Sequence, residues 1–117
     1  MACVAACLDP FEPPPGTYAF DPPHAYVEAW QRVEQCSGLR GEFRRIHWFD
    51  VPGSVIPWGA ETVNGLWHAP HDIYLSDSSA HDSASGYFTA RHEMLHDLLN
   101  GGGDHPPVFA RCGLLRG

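Results

Sequence analysis

Apolar side chains recur at helical spacing early in the chain, alternate through its middle, and surround a second helical stretch near its end. From His24 to Gln35, Tyr26, Trp30 and Val33 fall on one helical face, with Asp21 as a cap and the Pro22-Pro23 pair suited to a first turn. Ser37-Gly38 stops this helix. Glu42 to Val51 alternates through Phe43, the Arg44-Arg45 pair, Ile46 and Trp48, which predicts a strand ending at the Pro52-Gly53 turn. Val63 to Trp67 and Ile73 to Leu75 predict further short strands on either side of Ala69-Pro70, and the polar run from Ser76 to Gly86 reads as a loop. Residues 87–100 contain neither glycine nor proline, enough for about three and a half helical turns. Phe88, Met94, Leu95, Leu98 and Leu99 spread around that helix instead of forming one stripe, so it should be packed on most sides. Residues 8–23 are dense in proline and predict an extended run, so the chain divides into an N-terminal arm, 1–23, and one domain, 24–117. Short strands with two helices make an α+β domain.

The second helix carries His92-Glu93-Met94-Leu95-His96. Positions i and i+4 share a helical face, so both imidazoles can grip one metal ion while Glu93 points toward its open side. Eight histidines in 117 residues make close pairs less rare than usual, so the surroundings must carry weight. They do: the helix is apolar, and histidines buried in it need a partner. Gly101-Gly102-Gly103 ends it, and Asp104-His105-Pro106-Pro107 can bring the chain back. A catalytic zinc takes three protein ligands and keeps one position for water. His92, His96 and His105 supply the three, with Glu93 as the general base that takes a proton from the activated water. Asp104 is the competing third ligand. Asp104 or Asp97 could instead orient a ligand imidazole.

Arg91 to Cys112, RHEMLHDLLNGGGDHPPVFARC, resembles in reduced form the motif region of zincin metallopeptidases, and also that of small secreted or lipid-anchored bacterial proteins. The resemblance implies a small zincin-like domain: a short mixed or antiparallel sheet packed on an N-terminal helix and an HExxH active-site helix, one Zn2+, and a polypeptide substrate. It covers about a fifth of the chain. His96 and His105 are nine residues apart and Leu99 stands where metzincins have glycine, so the chain is not a metzincin. Nor does any glutamate follow Glu93 to serve as the distant ligand of gluzincins. The same resemblance implies an edge strand beside the substrate, expected around Ile73, and an oxyanion donor, for which Tyr74, His81 and Tyr87 are the candidates.

Composition narrows the function. There is no lysine, and 7 arginines face 14 acidic residues for a net charge of −7, which argues against nucleic acid as a partner. Arg40, Arg44 and Arg45 form the one basic cluster, explained by strand alternation. Four cysteines lack any CxxC pair. Cys36 closes the first predicted helix and Cys112 lies beyond His105, so a bridge between them would tie down the ligand-bearing tail and imply an oxidising compartment. Two buried free thiols are the alternative. Val4-Ala5-Ala6-Cys7 resembles a bacterial lipobox without the charged and apolar signal regions upstream, so either the chain is trimmed from a precursor lipid-anchored at Cys7, outside the cell or at its surface, or Cys3 and Cys7 are ordinary residues. A monomer is expected. No apolar run reaches transmembrane length.

The expected function is therefore zinc-dependent cleavage of peptide bonds. The alternatives are a noncatalytic zinc-binding module, completed by a fourth protein ligand such as Asp104 or His81, and an amidase with the same chemistry and a different pocket. Met94 and Trp67 read as core, and His47, His68, His71 and His81 as surface residues.

Overall fold

The side-chain alternation of two neighbouring strands sorts the interior into two layers. A computed structural model describes residues 11–115. Its elements are β1 (Tyr18–Ala19), α1 (His24–Ser37), a 3-10 turn (Phe43–Arg45), β2 (His47–Val51), β3 (Ile56–Trp58), β4 (Glu61–Val63), β5 (Gly65–His68), β6 (Asp72–Ser76), α2 (Asp77–Ala80), a second 3-10 turn (Ser83–Ser85), α3 (Phe88–Leu99) and α4 (Pro107–Arg111). This is an α+β fold with a mixed four-stranded sheet in the order β1-β2-β6-β5 and a separate β3-β4 hairpin. β2 and β6 run parallel, with Trp48 opposite Ile73 and Asp50 opposite Leu75; β1 and β5 are antiparallel to their neighbours.

Successive residues of a strand point to opposite faces. Trp48, Ile73 and Leu75 therefore meet α1, α3 and α4 through Tyr26, Trp30, Val33, Met94, Leu95 and Phe109. Val51 and Tyr74 turn the other way and pack with Ile56 of the hairpin and with Phe11. Tyr26, Trp30 and Val33 of the first predicted helix are all buried, as its spacing requires. The fully buried Tyr26 ring stands edge-on to Trp48 at 4.9 Å, and its hydroxyl donates to the Ala80 carbonyl at 2.6 Å, tying α1 to α2.

Four local expectations change. The strand predicted from Glu42 begins only at His47, because no strand lies opposite the residues before it. Their backbone bonds internally, Arg45 N–H to the Glu42 carbonyl and Ile46 N–H to that of Phe43, so Arg44 and Arg45 sit on a 3-10 turn. The loop predicted over 76–86 contains α2, capped by the Ser76 hydroxyl, which accepts from Ser79 N–H. Asp21 does not cap α1, whose N-cap is Pro23 with no side-chain bond. Finally, the described part of the proline-dense arm is held: Phe11 is buried, 4.7 Å from the Tyr74 ring, and β1 pairs with β2. The lipobox and Cys7 lie outside the described residues.

Cys36, in the last turn of α1, is bonded to Cys112, just beyond α4, with Cα atoms 5.8 Å apart and a sequence separation of 76. Among the described residues no helix is long and apolar enough to cross a membrane. Closing so long a loop stabilises by about 4 kcal/mol in the chain-entropy model. Cys36→Ser/Cys112→Ser is therefore expected to melt roughly 10 °C or more below the wild type. Equal calorimetric melting temperatures for the two proteins would refute that role.

Candidate metal centre

α3 is built to present its histidines and then return the chain to them. Its last turn closes with Asn100 in the left-handed conformation at φ 54°, a position that asparagine tolerates better than most residues. Asn100, not the glycine run after it, ends the helix. Asn100 N–H bonds to the Asp97 carbonyl and Gly101 N–H to that of His96, the Schellman pattern. This folds the Gly101 carbonyl back over the His96 ring, where it accepts from Nδ1 at 2.7 Å. Gly102 then passes over Trp67 so closely that a Cβ would stand 2.8 Å from the indole. His105 follows, and α4 sets the fully buried Phe109 beneath all three imidazoles, its ring 4.7 to 4.9 Å from each. Beyond α4 the Leu114 carbonyl accepts from His92 Nδ1 at 2.7 Å.

A carbonyl can only accept, so Nδ1 carries the hydrogen in both helix histidines and Nε2 is left with a lone pair. Those two rings lie 5.0 Å apart between centroids, and one ligand nitrogen from each of His92, His96 and His105 falls within 4.8 Å of the others. His92 Nε2 and His105 Nε2 are 3.1 Å apart. At that distance a bare nitrogen requires a proton or a cation in front of it. Burial pushes His96 down to about 4, with the charges of His92 and His105 adding to it; burial likewise lowers His92. Both rings are thus neutral near pH 7, the form that binds metal, with the second ring nitrogen anchored to a carbonyl as metal-ligating histidines commonly are. The residues fit a transition-metal ion. Asp104 is exposed and is not part of this cluster.

Glu93 lines the same cavity, of about 440 Å³, as the three histidines. It is 5% exposed because β5 lies tightly on α3: a Cβ on Gly65 would be 2.7 Å from Thr89 and 3.1 Å from Glu93. Burial alone raises its carboxyl to about 8. The rest of the lining is largely apolar, with Trp58, Val63, Leu66, Phe88 and Leu115, and it includes Asn64.

Several expectations about the surroundings are corrected. Asp97 does not orient a ligand imidazole; fully buried, it accepts from Trp67 Nε1 at 3.0 Å and His71 Nδ1 at 2.9 Å, while Arg45 Nε lies 3.6 Å from its other oxygen. Backbone carbonyls orient the histidines in its place. His71 is consequently a structural partner, not a free surface residue, and Trp67 both packs against the core and lines the cavity. The strand around Ile73 is interior to the sheet, and the edge strand lining the cavity is β5. Tyr74, Tyr87 and His81 do not line it. Asn64 had no signal in the sequence, since its place depends on β5 pairing with β6.

Comparison with family models, with curated proteins and with solved structures finds no match to this chain.

The two buried titrating groups act on stability with opposite signs. Glu93 titrates at about 8 folded against an ordinary 4.5, so the folded state binds more protons between those values and stability falls as pH rises through them. His96, at about 4 against 6.5, makes stability rise with pH between those values. Glu93→Gln removes only the first effect. In chelator-stripped protein it is expected to melt several degrees above the wild type at pH 8, with the gap closing by pH 4. A gap that is absent, or that widens toward pH 4, would contradict the burial of Glu93.

Proposed function

We propose that this chain is a zinc-dependent peptidase of zincin-like architecture that acts outside the cell or at its surface. The observation that carries the reading is the placement of a water-shielded carboxyl, Glu93, on the same cavity as three converging imidazoles. His92, His96 and His105 would hold the ion. When bound, zinc supplies a Lewis acid that polarises a carbonyl and makes water acidic near neutral pH. The ionised carboxylate of Glu93, which burial alone disfavours, would be favoured by a cation beside it. Glu93 would then take a proton from the attacking water as its oxygen bonds to the carbonyl carbon, and deliver it to the amine as the C–N bond breaks. Asn64 offers an amide N–H toward developing negative charge at the carbonyl oxygen.

Substrate binding follows from the walls. β5 pairs only with β6 among the described residues, so its outer edge can take up an extended peptide by main-chain bonding. The indole, Leu and Val side chains of the lining suit an apolar residue beside the scissile bond. The Cys36–Cys112 bond is compatible with an oxidising compartment. The noncatalytic reading requires a fourth protein ligand, and neither Asp104 nor His81 joins the histidine cluster among the described residues.

Two variants test the proposal. His96→Ala should lose zinc from this cluster by elemental analysis. Glu93→Gln should keep zinc and fold, yet cleave an unfolded protein at least about a hundredfold more slowly, the usual worth of a positioned general base. Wild-type cleavage must be stopped by a chelator and restored by zinc. Equal inactivity of wild type and Glu93→Gln across broad peptide and amide libraries, with both holding zinc, would replace this reading with the noncatalytic one.

A further inference from the structure

A second group of ligating side chains lies away from the histidine cavity, where β2 ends beside the junction of β6 and α2. Asp50, Asp77 and His81 each bring one ligand atom within 4.8 Å of the other two. Asp50 is on the helix-facing side of β2 and is 1% exposed, yet its Oδ1 has no hydrogen-bond partner. No arginine forms an ion pair with it among the described residues. A carboxylate taken out of water without a counter-charge is strongly disfavoured, and a second carboxylate beside it adds repulsion. A cation shared by both offsets each penalty. Asp77 and His81 are set in place independently of Asp50: Ser76 caps α2, the buried Tyr26 hydroxyl holds the Ala80 carbonyl, and His81 Nδ1 donates to the Asp77 carbonyl at 2.9 Å.

We propose that Asp50, Asp77 and His81 form a second divalent-cation site, separate from the histidine cluster. Two carboxylates and one imidazole select a first-row transition ion such as Mn2+ or Zn2+ over Ca2+ or Mg2+, which prefer oxygen donors alone. The exposed side of Asp77 and His81, with side chains 51% and 71% accessible, leaves the remaining coordination positions to water. The ion clamps the end of β2 to the corner from which the chain enters α2, and so braces the parallel β2-β6 pair from its open end.

The test uses the full chain, stripped with chelator and titrated calorimetrically with zinc and, separately, manganese. Asp77→Asn and His81→Ala change exposed groups and should fold. Each is expected to lose one equivalent of metal relative to the wild type, or to weaken that equivalent at least about tenfold. Each should also lose a metal-dependent rise of several degrees in melting temperature. His105→Ala reports on the other cluster alone, so a wild type binding one equivalent that His105→Ala keeps and His81→Ala loses would leave this site standing while the peptidase proposal falls. The second site is overturned if neither Asp77→Asn nor His81→Ala weakens any equivalent. Asp50→Asn supplies a further check: in metal-free protein it should melt at or above the wild type, because it removes the uncompensated buried charge.

Discussion

The hydrogen bonds from His92 to the Leu114 carbonyl and from His96 to the Gly101 carbonyl are the constraint on which the centre depends. Each fixes one ring's tautomer and direction, and each acceptor belongs to the segment that follows α3. Fifteen residues of return chain, 101–115, thus supply two orienting carbonyls, the third imidazole and the Phe109 floor. That segment has little secondary structure to hold it. Its anchors are the Cys36–Cys112 bond, the buried side chains of Phe109 and Leu114, and the glycine that lets it cross Trp67. Loss of the anchor at Cys112 would reach the centre through the Leu114 carbonyl on His92 and the Phe109 floor.

Asp97 performs the corresponding task on the opposite side of α3. A fully buried carboxylate is tolerable only when its charge is met, and here the indole of β5, His71 at the start of the β6 strand region and Arg45 of the 3-10 turn converge on it. Three separate parts of the chain are thereby held against the residue next to His96.

Small domains bury a modest share of their surface, so polar groups inside them are costly. Among the described residues three acidic side chains are buried, Glu93, Asp50 and Asp97. Asp97 is met by donors from three parts of the chain. Glu93 is forced up by burial to about 8, and Asp50 to about 6 by burial together with its hydrogen bond to and the charge of Asp77. Both raised carboxyls stand at clusters able to hold a cation, and both proposals, the peptidase centre and the second cation site, follow from that coincidence.

The periodicity of the sequence by itself determined α1 with its buried face, the length of α3, and the pairing of His92 with His96, because i and i+4 are neighbours on any α-helix. It also identified the two cysteines that bond, through their positions at either end of the domain. Tertiary structure alone decided how His105 reaches the pair while Asp104 faces outward, that β5 and not the strand around Ile73 forms the edge at the cavity, and that Asp97 serves the core. It also brought Asp50 to Asp77 and His81, 27 and 31 residues further along the chain. Contacts over such separations are set by strand order and by which carbonyls the return segment presents, and a repeat of 2 or 3.6 residues carries no information about either.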